Sequence, residues 1–286
     1  VAPQAGRLHD PPSLLPIAVT APSTQTRSVK APPTALILRA AGTNCELETA
    51  RALEQAGAAP RILHLNQLVA APRELAGARL LVIPGGFSFG DDVAAGRLFA
   101  ARLRQDLYEP LSEHVARGGF VLGICNGFQV LSELGLLEGF PRQPERRTIA
   151  LIDNTSNHYE CRWVHLRSEA CRARWLPSGI WPCPVAHGEG RLALAPGALE
   201  RLEANGQVAL RYVTASGATP SYPELPNGST SAIAGLCDET GRVLGLMPHP
   251  ERNVAPWHHP TWTRQPGRSE GEGLAFFRGL VAAASA

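Results

Sequence analysis

The stretch Phe120-Val121-Leu122-Gly123-Ile124-Cys125-Asn126-Gly127-Phe128-Gln129 passes from an uninterrupted apolar run into a pattern of helical period. It reads as a strand over Phe120 to Ile124 running into a helix through Leu134, with Cys125 at the junction and a glycine two residues away on each side. A turn this tight forces its central residue into a strained conformation, and side chains at positions 123 and 127 would collide with neighbouring backbone. Cys125 is thereby lifted to the edge of the sheet. The helix N-terminus brings unpaired N–H groups and the positive end of the dipole to its sulfur, which favours the thiolate. The competing reading is a small buried thiol at a tight turn.

Outward from this junction, short apolar runs alternate with amphipathic, alanine-rich segments. Ala35 to Arg39, Arg61 to Leu65 and Arg79 to Pro84 read as strands. Thr43 to Gln55 reads as a helix with the spacing of a capping box at Thr43 and Glu46, and a further helical stretch follows Asp92. Strand, helix and strand in repetition imply an α/β fold built on a parallel sheet covered on both faces. Beyond Gly139 the pattern becomes β-rich, with strands expected at Thr148 to Asp153, Cys161 to Leu166, Gln207 to Val213, Ile233 to Asp238 and Val243 to Met247, several of them antiparallel or at an edge. Arg167 to Pro184, rich in proline, tryptophan and cysteine without a clear period, reads as a loop insertion. A last helix over Glu270 to Ala284 closes the domain.

Two further segments carry chemistry. Pro84-Gly85-Gly86-Phe87-Ser88-Phe89-Gly90-Asp91 follows a predicted central strand, and neighbouring parallel strands place their loops side by side at the carboxyl edge. Gly86 can turn its N–H toward an oxyanion and pair there with the N–H of Asn126, the residue after the candidate nucleophile. The bland alternative is a flexible glycine-rich loop. Met247-Pro248-His249-Pro250-Glu251-Arg252 follows the strand at Val243 to Met247. A thiolate needs a base that takes a proton and later returns one to a leaving amine, which His249 can do. Glu251, beyond a rigid proline, can fix its tautomer.

Composition excludes several other classes. The chain has 286 residues, 44% hydrophobic and 18% charged, with a net charge of +2. There is no excess of cationic side chains to neutralise a phosphate backbone, so no nucleic-acid partner is expected. No run approaches the roughly 20 apolar residues that span a bilayer, so no membrane role is expected either. The six cysteines lack CxxC pairing, and their spacing to histidine matches no ligand pattern, so reduced thiols and no metal are expected. Lys30 is the only lysine, which removes a Walker-type phosphate loop and a Schiff base in the folded core. Residues 1–33 carry seven prolines without an apolar period and read as a disordered tail, and 34–286 as the catalytic domain. The tail is acid-poor like a transit peptide, but its prolines oppose an amphipathic helix. The N-x-S/T matches at Asn154 and Asn227 read as chance. Cys45 follows the first strand near the carboxyl edge of the sheet and so could approach the site, but it has no base spaced around it and reads as structural or interfacial.

Gly-Ile-Cys-Asn-Gly-Phe-Gln at 123–129, with Pro-Gly-Gly-Phe-Ser-Phe-Gly-Asp upstream and Pro-His-Pro-Glu-Arg downstream, resembles the class I glutamine amidotransferases. More narrowly, the chain resembles the glutaminase subunits of phosphoribosylformylglycinamidine synthase. That likeness also rests on Gly42-Thr43-Asn44-Cys45, Cys161-Arg162-Trp163-Val164, Pro184-Val185-Ala186-His187-Gly188-Glu189-Gly190-Arg191 and Pro226-Asn227-Gly228-Ser229. Order and spacing agree from about residue 35 to residue 254. The resemblance implies a flavodoxin-like, mostly parallel sheet flanked by helices, with additional antiparallel strands. It implies that Cys125 attacks the side-chain amide of L-glutamine, that His249 protonates departing ammonia and that Glu251 supports His249. Gly86 and Asn126 would form the oxyanion hole, Gln129 would lie in the glutamine pocket, and the Ala186-His187 backbone would hold the amino-acid end of the substrate. It further implies a cytoplasmic chain without its own cofactor, whose partner synthetase uses ATP and magnesium to amidate formylglycinamide ribonucleotide, with room for a small accessory subunit. The Pro-rich tail and the segment around Trp175 to Pro184 depart from the pattern. Two rival classes stay open: another cysteine hydrolase, of peptidase or deglycase type, and a non-catalytic regulatory subunit.

Overall fold

The computed structural model describes residues 31–138 and 147–286; the predicted tail falls, up to residue 30, outside the described residues. Strands β1 (Thr34–Arg39), β2 (Ala59–His64), β3 (Leu80–Ile83) and β4 (Phe120–Ile124) alternate with helices α1 (Glu46–Gln55), α2 (Leu65–Ala70) and α3 (Arg97–Ala116). Helix α4 (Asn126–Leu134) follows β4 directly and ends at Gly135 in the left-handed conformation that suits a helix C-terminus. The second half supplies β5 (Ile149–Ile152), β6 (Glu160–Ser168), β7 (Ile180–His187), β8 (Arg191–Leu194), α5 (Ala198–Ala204), β9 (Val208–Val213), β10 (Ile233–Cys237), β11 (Val243–Leu246) and α6 (Gly273–Ser285).

Among the described residues the main sheet runs β2-β1-β3-β4-β11-β10-β9-β6-β7, and β5 pairs separately with β8. From β2 to β11 every pairing is parallel, and from β11 to β7 every pairing is antiparallel. The architecture is the expected α/β one. All residues of β3, β4 and β11 are buried, as befits parallel strands covered on both faces. Helix α1 packs with α6, and α3 with α4. No helix among the described residues is long and apolar enough to cross a membrane.

Register positions the site. Ile83 lies beside Gly123 and Ile124 beside Leu246, so β3, β4 and β11 end side by side. The three segments read as chemical, which leave these strands at Pro84, Cys125 and Met247, therefore emerge at one edge.

Two expectations are corrected. Arg167 to Pro184 is not all loop, because β7 pairs with β6 over eight residues, from Arg167 opposite Ile180 to Glu160 opposite His187. Prolines 182 and 184 concealed it; β7 is an edge strand, where an absent N–H is tolerated. The Thr43 and Glu46 capping box does not form. Helix α1 starts later, with Cys45 at its N-cap position, while the Thr43 hydroxyl accepts from the Ala40 N–H at 3.1 Å and closes the preceding turn. The helix expected after Asp92 is α3, which begins at Arg97, past a loop in which Phe89, Asp91 and Val93 take positive φ. Strand β8 and helix α5 were not anticipated.

Candidate active site

Cys125 sits between β4 and α4 with φ 52° and ψ −105°, a strained conformation for a residue with a side chain. The strain is held by neighbours: its N–H donates to Leu246 O at 2.8 Å, and its carbonyl accepts from Phe128 and Gln129. Glycine is required on both sides. A Cβ on Gly123 would stand 2.6 Å from Gly127 O, and one on Gly127 would stand 1.9 Å from Ile83 O. The Cys125 thiol is buried, 3.5 Å from Ala186 O.

His249 and Glu251 leave β11 through a 3-10 turn, and both are buried. His249 Nδ1 and Glu251 Oε1 are 2.6 Å apart. Burial opposes a charged ring, but the Glu251 carboxylate and the sulfurs of Cys125 and Cys45 outweigh it and hold His249 well above the usual histidine range. The ring thus keeps its proton at neutral pH, with Nδ1–H donating to Glu251. β7 reaches this turn although it is the far edge of the sheet. The antiparallel half curls back until Pro184 O accepts from the His249 N–H at 2.8 Å.

The loop after β3 is braced by the loop after β1. Asn44 and Cys45 N–H groups donate to Gly85 O, Phe87 N–H to Gly42 O and Phe89 N–H to Ala41 O. Gly86 lies at φ +146°, where a Cβ would come within 2.8 Å of Asn44 N and Gly42 O. Among the described residues its own N–H has no backbone acceptor. As the first residue of α4, Asn126 has no helical acceptor for its N–H. Its side chain ties the loops together, with Oδ1 accepting from Ser88 N–H at 3.3 Å and Nδ2 donating to Asp91 Oδ1 at 3.1 Å and Gln129 Oε1 at 2.9 Å.

A cleft of about 220 Å³ opens beside Cys125, and Gly86, Gln129, Ala186, His187, Asp91 and Glu189 are among its lining residues. Gln129 Nε2 donates to Glu189 O at 2.6 Å. Burial, and then the charge of His249, push His187 down to about 3, so its ring is neutral. Asn154 fixes its tautomer. Nδ2 of Asn154 donates to the carbonyls of His158 and His187, which leaves Oδ1 to accept from Gly190 N–H and from His187 Nδ1–H. Asn227 in turn donates to Gly190 O at 2.8 Å and accepts from Ser229. Both asparagines of the N-x-S/T matches are fully buried and structural.

Asp91 is half-buried, and desolvation followed by the nearby Glu189 charge pushes it from 3.8 up to about 6, against bonds from Gly96 and Asn126. A folded-state value above the unfolded one favours the folded chain below the unfolded value, and that advantage is lost as pH rises through the folded one. Asparagine removes the charge and tolerates the positive φ of this position. Asp91→Asn is therefore expected to melt above the parent chain at about pH 8, with the difference closing below about pH 4. Thermal denaturation across that range checks it.

Of the residues singled out in the sequence, Gly86, Cys125, Gln129, Ala186 and His187 line this cleft, while Asn126, His249 and Glu251 are buried and do not line it. Cys45, expected near the carboxyl edge, does approach the site. Its thiol lies against His249, accepts from Arg252 Nη2 at 3.1 Å and donates to Asn44 Oδ1. The adjacency of β1 and β3 brings it there, because it sets the loops at 40–45 and 84–89 side by side.

Residues 32–282 match the model of a CobB/CobQ-like glutamine amidotransferase domain. A curated relative from Methanococcus maripaludis, phosphoribosylformylglycinamidine synthase subunit PurQ, is 41% identical over 229 residues, covering 79% of this chain and 84% of that protein. The chain belongs to the PurQ family of glutamine amidotransferases. The PurQ subunit of Dehalococcoides mccartyi is 40% identical over 86% of this chain and 95% of its own length. A chain of PurLQS from Thermotoga maritima superposes with a TM-score of 0.65 at 30% identity, covering 88% of this chain and 98% of that one. The sequence resemblance is borne out, and the chain is an enzyme of this class.

Proposed function

We propose that this chain hydrolyses the side-chain amide of L-glutamine at Cys125. The ammonia passes to a synthetase subunit, which converts formylglycinamide ribonucleotide to formylglycinamidine ribonucleotide in purine biosynthesis. The observation that carries this reading is the meeting, across Gly85, of a strained cysteine at a helix N-terminus with a buried His249 bonded to Glu251. The Cys125 thiolate attacks the amide carbon, and the developing oxyanion is met by the N–H groups of Gly86 and Asn126. His249 gives its proton to the amide nitrogen as the C–N bond breaks, releasing ammonia and leaving a thioester. Water then attacks the thioester with His249 as base, and glutamate leaves as the thiolate re-forms. Glu251 holds the ring throughout.

The cleft, at about 220 Å³, is smaller than the roughly 300–1,000 Å³ of sites for drug-sized ligands and suits a free amino acid. Its carboxylates suit an α-ammonium group, while Gln129 and the Ala186-His187 backbone flank the amino-acid end. In this reading the chain is cytoplasmic and needs no cofactor of its own, and ATP and magnesium serve the synthetase. The likeness to a chain of PurLQS supports association with a synthetase and a small accessory subunit.

The test is glutamate release from glutamine by the purified chain, with and without the synthetase and its nucleotide. Release is expected to rise sharply with both present. Equal release in their absence would remove the partner from the reading, and no release from a bound, folded chain would leave a regulatory subunit.

A further inference from the structure

Two motif residues have no part in the steps above, Cys45 after the first strand and Arg252 beside the acid of the triad, yet the fold brings them together. Arg252 Nε donates to Glu48 Oε1 at 2.8 Å, and Nη2 donates to Cys45 Sγ at 3.1 Å. Both partners belong to the start of α1, Cys45 at its N-cap position and Glu48 in its first turn. At its other end the Arg252 backbone closes the turn that carries the triad, its N–H donating to His249 O at 3.1 Å. One guanidinium thus joins the His249-Glu251 turn to α1. Through Cys45, whose N–H donates to Gly85 O, the link continues to the loop bearing Gly86. Gly85 is the shared wall: a Cβ there would stand 2.8 Å from His249 Cε1, 3.0 Å from Cys45 Sγ and 3.5 Å from Cys125 Cβ.

We propose that Arg252 is a positioning residue, whose fork between Glu48 and Cys45 sets where His249 and Glu251 stand relative to Cys125 and the Gly86 loop. The proposal rests on the reading of Cys125, His249 and Glu251 as the triad. Geometry rather than charge alone is the operative property, because the two donors of a rigid planar group are spent on two different acceptors. Donor atoms of Cys45, Glu48, His249 and Glu251 lie within 4.8 Å of one another, a grouping that could hold a metal ion, but the guanidinium already supplies the positive charge in this space. Sulfur suits the second position. Burial pushes the Cys45 thiol up, so it stays neutral while accepting from Arg252.

The test compares Arg252→Gln, Arg252→Lys and Glu48→Gln with the parent chain and Cys125→Ala, in the full chain assembled with its synthetase. Glutaminase kcat is expected to fall about 10- to 100-fold in both Arg252 variants, the range in which a displacement on the order of 1 Å matters. KM for glutamine is expected to stay within about twofold, since the cleft is untouched. Alkylation of Cys125 by iodoacetamide at neutral pH, followed by peptide mass mapping, is expected to slow in parallel, and Glu48→Gln to act in the same direction with a smaller effect. Full rescue by Arg252→Lys would reduce the role to charge and overturn the proposal. Unchanged kcat and alkylation in folded variants would also overturn it, leaving only a structural link. If the Arg252 variants do not melt cooperatively, Glu48→Gln and Cys45→Ala probe the same fork from its acceptor side, and parent-like kcat in both would overturn it. Glutamine hydrolysis surviving in Cys125→Ala would instead sink the triad reading beneath it.

Discussion

Replacing Cys125 by alanine is expected to lower glutamine-dependent synthesis by the assembled complex at least about 10⁴-fold, as loss of the nucleophile does in other triads. Synthesis from added ammonia should continue at the parent rate. The separation is expected because the substitution removes one sulfur and little else. Alanine takes over the same strained backbone at φ 52°, keeps the N–H bond to Leu246 O and gives up the 3.5 Å approach of the sulfur to Ala186 O. His249 and Glu251 remain held by backbone and by each other. Paired assays with glutamine and with ammonium salts, on complex of verified assembly, give the result. Loss of both activities in intact complex would mean that Cys125 supports the synthetase directly, and the division of labour would have to be abandoned.

The legible part of this fold is the part whose signals are local. Cys125 was found because a strand, a two-sided glycine turn and a helix follow one another within ten residues, and β4 and α4 lie where that grammar placed them. Gly86 was singled out because neighbouring parallel strands deliver their loops to one edge, and His249 because a histidine with a glutamate two residues on follows a strand. The antiparallel half was less legible. The prolines in β7 signal a break, and only the position of that strand at the edge of the sheet makes them harmless. The curl that brings Pro184 O to His249 is a property of the whole sheet and leaves no trace in spacing. The partner of Cys45 was hidden for the same reason, since Arg252 lies 207 residues away. The same distance effect hides the approach of Glu189 to Asp91, whose shift comes from neither residue's own segment.

Gly127→Ala is expected to be the most damaging single methyl in the chain. The added Cβ would stand 1.9 Å from Ile83 O and 2.8 Å from Ile83 C, and these are backbone atoms of a fully buried central strand. No rotamer can relieve the contact, so α4 and β3 must separate, and β3 is pinned by pairing with β1 on one side and β4 on the other. The cost belongs at or above the roughly 1–3 kcal/mol of ordinary overpacking. At about 2–4 °C per kcal/mol for a chain of this class, the melting temperature should fall by about 10 °C. Gly77→Ala is the matched control. Nothing lies within 4 Å of its Cβ and its φ is ordinary, so it should be neutral or slightly stabilising. A second consequence separates this site from a generic core glycine. Ile83 is the last residue of β3, and Pro84, Gly85 and Gly86 follow it, so whatever moves Ile83 O also moves the N–H assigned to the oxyanion. The folded fraction of Gly127→Ala, measured below its transition, should therefore show reduced kcat with nearly unchanged KM for glutamine. Parent-like kcat in that fraction would mean that the braces from Gly42, Asn44 and Cys45 fix the Gly86 loop on their own, independently of where β3 ends.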